Sequence, residues 1–114
     1  MAFDGKIGQL SAKIIQVAAA GHPPVIMTGA VKAGTGQWQP GTILIRDAGE
    51  LAPWDGSTGS PVGVLLDACD STAQASANYL AHGTAVIENL KLADGSAPTE
   101  SHIFTLAQAG IYGA

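Results

Sequence analysis

The stretch LAPWDGSTGSPVGVLLDA, residues 51–68, decides how this chain is read. It places a tryptophan, Trp54, directly before an Asp55-Gly56 turn. A polar loop, Ser57 to Pro61, follows, and then an uncharged apolar run, Val62-Gly63-Val64-Leu65-Leu66. Asp-Gly suits a turn because glycine adopts the positive φ that most residues resist. The apolar run lacks polar alternation, which predicts a strand buried on both faces in a central sheet position. Trp54 then supplies one large apolar surface at the strand's approach. The rest of the chain has few such surfaces: two Trp, two Tyr and two Phe in 114 residues. We therefore expect Trp54, Asp55, Gly56, Val62, Val64 and Leu66 to form a structural turn and core.

Working outward, the same grammar continues on both sides. Gln39-Pro40-Gly41 marks a turn, and Thr42-Ile43-Leu44-Ile45-Arg46 is a β-branched strand pattern. Asp47 to Glu50 turns into a short extended piece, Leu51 to Trp54. Downstream, Ser76 to Ala81 and Thr84 to Leu92 read as a hairpin across His82-Gly83. Asp94-Gly95-Ser96 is a turn, and Pro98-Thr99-Glu100 is a helix start with Ser96 as its cap. Ile103, Leu106, Ala107 and Gly110 then recur at helical spacing, with Tyr112 in the tail. The expected fold is mainly β with an α element: a small β-rich barrel or sandwich with one short helix near the C-terminus.

Residues 1–24 read differently. Leu10, Ile14 and Val17 fit a helical stripe, while Ile14-Ile15-Gln16-Val17 fits an extended segment equally well. Gly21-His22-Pro23-Pro24 ends whatever precedes it. Alone, this leader has no core in which to bury Ile7, Leu10, Ile14, Ile15 and Val17, so it is a candidate arm, with residues 25–114 as the body. Trp38, in a Gly/Gln-rich loop, is the freer tryptophan and a candidate interface anchor.

Composition narrows the function classes. Formal net charge is −4, and only 12% of residues are charged, about half the usual share. Residues 1–46 carry Lys6, Lys13, Lys32 and Arg46 against Asp4, whereas residues 47–114 carry eight acids against Lys91. An acidic body argues against nucleic-acid binding, which needs clustered bases. No stretch reaches the ~18 apolar residues of a membrane span, and the leader does not read as a signal peptide. A single cysteine, Cys69, excludes an intrachain disulfide and reads as a small buried thiol.

Catalytic patterns are sparse. Gly34-Thr35-Gly36 lacks the later glycine of a dinucleotide loop, and no phosphate-loop Gly-Lys-Ser/Thr occurs. Gly56-Ser57-Thr58-Gly59-Ser60 precedes a strand rather than a helix, so it is not a nucleophile elbow. His22, His82 and His102 sit far apart in sequence without ligand-spaced partners. Asp67 and Asp70 read as turn formers rather than an acid pair. No enzyme, cofactor or metal is expected.

The run Leu51-Ala52-Pro53-Trp54-Asp55-Gly56-Ser57-Thr58, followed by Val62-Gly63-Val64-Leu65, resembles the lambda-type head decoration proteins of tailed bacteriophages. Asn78-Tyr79-Leu80-Ala81-His82-Gly83-Thr84 is similar to that family's aromatic strand and Gly-Thr segment, and the acidic helix from Pro98 also fits. The likeness covers about residues 40–114, in order and spacing, while the leader is richer in apolar residues than the family's polar arm. The resemblance implies a tulip-like β-rich body that forms a homotrimer. It implies that trimers cap threefold and quasi-threefold sites of the expanded icosahedral head. There they would clamp the major capsid protein against DNA pressure, on the outer surface of a virion made in a bacterial cytoplasm. The N-terminal arm would add to a capsid sheet. The alternative is a small β-barrel module that binds a glycan or peptide on a virion or cell surface.

Overall fold

The computed structural model describes residues 18–19 and 23–114. Ile7, Leu10, Ile14, Ile15 and Val17 lie outside the described residues. The described body is mainly β with one α-helix near the C-terminus, as the sequence predicts. The strands are β1 (Ala18–Ala19), β2 (Val25–Ala30), β3 (Gln37–Trp38), β4 (Ile43–Asp47), β5 (Glu50–Pro53), β6 (Pro61–Leu65), β7 (Cys69–Asp70), β8 (Ser76–Ala85) and β9 (Ile111–Gly113). A single 3-10 turn spans Ile87–Asn89, and α1 spans Glu100–Gln108.

Strand β8 organises the main sheet. The first part of β8 pairs with β2 on one edge (Met27 opposite Tyr79) and β6 on the other (Leu65 opposite Tyr79). Its last residues pair with β1 antiparallel (Ala18 opposite Ala85) and with β9 parallel (Gly83 opposite Ile111). Beyond β6 the order continues to β4 and β5. Just past β2, Val31 bridges Leu51 of β5, but no ladder joins the two strands among the described residues, so the sheet curls without closing into a full barrel. β3 and β7 form a separate two-stranded sheet.

The expected hairpin across His82-Gly83 is not formed, and β8 runs straight through both residues. Gly83 does take positive φ, +135°, but to let another segment approach: an added Cβ would lie 3.2 Å from Cα of Pro24. Its N–H donates to Gly110 O at 3.1 Å. Partners distant in sequence thus hold the chain extended where a local reading sees a turn. The expected second arm, Thr84 to Leu92, instead leaves the sheet after Ala85 into the 3-10 turn.

Successive strand residues point to opposite faces, and both faces here are apolar. Ile43, Val64 and Leu80 enter one core with Trp54, Leu90, Leu106 and Ile111. Their chain neighbours Leu44, Leu65 and Tyr79 enter the other, with Val31, Trp38 and Leu51. β6, between β4 and β8, is the central strand that the apolar run predicts. Leu66 lies just past its end and is also buried.

The helix starts three residues later than the Ser96 cap would have it. Asp94 takes the Ser96 amide and hydroxyl into its own turn, at 3.0 and 2.6 Å. Thr99 caps α1 instead, and the exchange is reciprocal: the Thr99 N–H donates to Nδ1 of His102, and the His102 N–H donates to the Thr99 hydroxyl. Gly110, at φ +91°, follows the helix end.

Candidate functional site

The Trp54 turn joins β5 to the helical end of the body. The Trp54 N–H donates to Ile43 O and its carbonyl accepts from the Ala93 N–H, both at 2.8 Å. The indole is 3% exposed and meets the His102 ring edge-on, with centroids 5.2 Å apart. Gly56, at φ +95°, makes that contact possible: an added Cβ would sit 2.7 Å from Nε2 of His102. Asp55 Oδ1 accepts from the Thr58 and Ser57 amides, each at 2.8 Å. These bonds hold the Asp55 carboxyl below the usual carboxylate range. A large aromatic therefore stands before the central strand because the turn delivers it into the core and under the helix.

Two further loops use the same chemistry. Asp70 accepts from the Thr72 hydroxyl and amide, and Asp94 accepts from the Ser96 hydroxyl and amide. Both carboxyls are lowered, chiefly by the hydroxyl bonds. Carboxylates held ionised in this way suit turns and make poor general acids.

Trp38 is not the free tryptophan that its loop context predicts. It is 2% exposed, pairs with Cys69 across β3 and β7, and donates from Nε1 to the Thr35 hydroxyl at 3.1 Å. Its flanking Gly and Gln residues conceal a two-residue strand that forms only against β7. The Cys69 thiol is buried, and burial, with Asp70 adding to it, pushes its pKa up, away from nucleophile behaviour. His102 serves as helix cap and Trp54 neighbour, and His82 packs edge-on to Tyr112. His22 lies outside the described residues. Among the described residues no group of three His, Cys, Asp or Glu is placed to hold a metal ion. No described helix is long and apolar enough to cross a membrane.

What the body offers outward is apolar surface in two places. Val25, Ile26 and Met27 project from β2, which has no described ladder on its outer edge. Ile87, Phe104 and Tyr112 are exposed around α1 and β9, with Phe104 at 66%. There, Ile87, Ile103, Phe104, Ala107, Tyr112 and Glu100 help line a groove of about 510 Å³. Sequence reasoning missed this groove. The helical stripe through Ile103 and Leu106 omits Phe104, and Ile111–Gly113 carries no strand signal of its own. No family model matches the chain, and no curated protein is a significant match to it.

Proposed function

We propose that this chain is a capsid decoration protein of the kind its sequence resembles. Homotrimers would cap threefold and quasi-threefold positions of an expanded phage head and clamp the major capsid protein from outside. The observation that carries the reading is the ordered likeness over residues 40–114, centred on the Trp54-Asp55-Gly56 turn and the strand after it. The surface chemistry is compatible with such a role. The Asp55, Asp70 and Asp94 carboxylates are committed to turns, the thiol is buried, and apolar side chains are displayed on β2 and around α1. Contiguous exposed apolar surface suits protein association. Three arms per trimer would bind multivalently, and an arm that adds a strand to a capsid sheet gains main-chain hydrogen bonds. A glycan-binding module would display a row of aromatics, whereas Trp38, Trp54 and Tyr79 are buried here and the exposed pair, Phe104 and Tyr112, lines an apolar groove.

The test is co-sedimentation with expanded, undecorated heads, comparing the full chain with one lacking residues 1–24. Saturable binding that weakens without the leader supports both the function and the arm. Binding that ignores the deletion keeps the function and moves docking to the body. No binding to cognate heads rejects the proposal and turns attention to surface glycans or peptides.

A further inference from the structure

The groove between α1 and β9 lies close to the point where the chain leaves the described body. β1 runs antiparallel to β8 with Ala18 opposite Ala85. The N-terminal end of β1 therefore lies beside Ala85, two residues before Ile87. Ile87 lines the groove. Tyr112 and Gly113, on the other edge of β8 opposite Thr84 and Ala85, line it as well. The sequence immediately before β1, residues 10–17, reads LSAKIIQV and carries Leu10, Ile14, Ile15 and Val17.

We propose that this groove takes residues 10–17 of its own chain. Apolar side chains enter an apolar cleft whose largest exposed wall is Phe104. The charges agree: Glu100 is the charged residue among those lining the groove, and Lys13 is the charged residue of the segment. Reach is no obstacle, since eight residues span at most roughly 28 Å extended. The tether decides the occupant. Val17 adjoins Ala18, so the segment is presented at the high effective concentration of a short linker, about millimolar. The same segment from a second copy competes only at comparable protein concentration. The inference concerns the free protein and stands apart from the capsid reading.

Amide hydrogen exchange on the full-length chain, read over residues 10–17, tests it without any capsid present. The expected result is exchange slowed about tenfold relative to an unfolded chain and independent of protein concentration. Phe104→Glu, at an exposed position, should return the segment to the unfolded-chain rate while the body's exchange is unchanged. Ile14→Asp should do the same from the leader side without touching the body. Unfolded-chain rates in the unmodified protein would overturn the proposal. So would protection that survives both substitutions. Protection that disappears on dilution would assign the groove to another copy's leader and overturn the claim for the same chain.

Discussion

The two faces of the sheet each bury one tryptophan, and they do so by different means. On one face Trp54 packs with Leu66, Leu90 and Leu106, edge-on to His102, and its Nε1 has no hydrogen-bond partner among the described residues. On the other, Trp38 lies with Leu44, Leu65 and Tyr79, and its Nε1 bonds the Thr35 hydroxyl. Trp54 thus acts by apolar contact alone, and Trp38 by contact plus a polar anchor. The difference shows that equal burial does not mean equal chemistry. The orphaned donor lowers the net contribution of Trp54 below what its area suggests.

The largest effects should come from removing each ring. Trp54→Ala and Trp38→Ala are each expected to cost about 3–5 kcal/mol, as large core truncations do. Urea unfolding of both variants measures this. A midpoint unchanged by Trp54→Ala would end the reading of Trp54 as a core residue.

Gly63→Ala attacks the Trp38 face through its neighbour. A Cβ at Gly63 would lie 2.2 Å from Cδ2 of Tyr79 and 2.7 Å from the Leu80 carbonyl oxygen, so the ring lies across β6 only because residue 63 has no side chain. The Tyr79 hydroxyl also accepts from Nη2 of Arg46 at 2.8 Å. Overpacking here is expected to cost about 1–3 kcal/mol. In the denaturation curve the loss should appear with a disturbed tyrosine near-UV signal. If stability is retained, β6 and β8 tolerate separation and the tight packing assigned to this face is wrong.

Phenylalanine sharpens the contrast. Trp38→Phe loses a hydrogen bond, whereas Trp54→Phe removes a buried donor that has no partner. The Trp38 change should therefore cost about 1 kcal/mol more than the Trp54 change. Equal costs would mean that the Trp54 indole N–H finds a partner in solution.

Both faces were partly legible in sequence, and the misses share one cause. The strands Thr42–Arg46 and Val62–Leu66 were readable because β-branched and apolar runs report local preference and burial together. The Trp54 turn was readable because Asp-Gly states its own backbone geometry. Trp38, the continuity of β8 through Gly83, and β9 were not. Each depends on a partner far along the chain: β7 for Trp38, and β1 and β9 for the end of β8. The groove beside Phe104 was hidden for the same reason, since β9 builds one of its walls. The candidate arm residues Ile7, Leu10, Ile14, Ile15 and Val17 lie outside the described residues.

Acid should weaken both faces. Asp55 closes a turn beside Trp54 and Asp70 closes one beside Trp38, while the Asp94 turn touches both, bonding Trp54 through Ala93 and lining a pocket with Trp38. All three carboxyls are lowered in the folded chain. The unfolded chain therefore binds more protons in the acid range. The stabilisation is present above the unfolded carboxyl value, about 4, and is lost as pH falls through the lower folded values. With Trp38→Phe reporting Trp54, and Trp54→Phe reporting Trp38, fluorescence on both faces should change over one acid range. Transitions at different pH on the two faces would mean that the sheet does not couple them into one cooperative unit.

The smallest effect tests whether the faces can be stabilised together. The β4–β5 hairpin feeds both, with Ile45 packed against the Trp54 core and Leu44 and Leu51 in the other. Its two-residue turn places Ala48 at φ +53° and Gly49 at φ +88°, the double positive pattern of a type I′ turn. Alanine resists that region, and asparagine tolerates it. Ala48→Asn should therefore stabilise by about 0.5–1 kcal/mol, raising the thermal midpoint by about 2–6 °C. Because the turn belongs to neither core, both single-tryptophan reporters should shift by the same amount. A shift confined to one reporter would show that the faces melt independently, and that the contrast between the tryptophans extends to the strands they share.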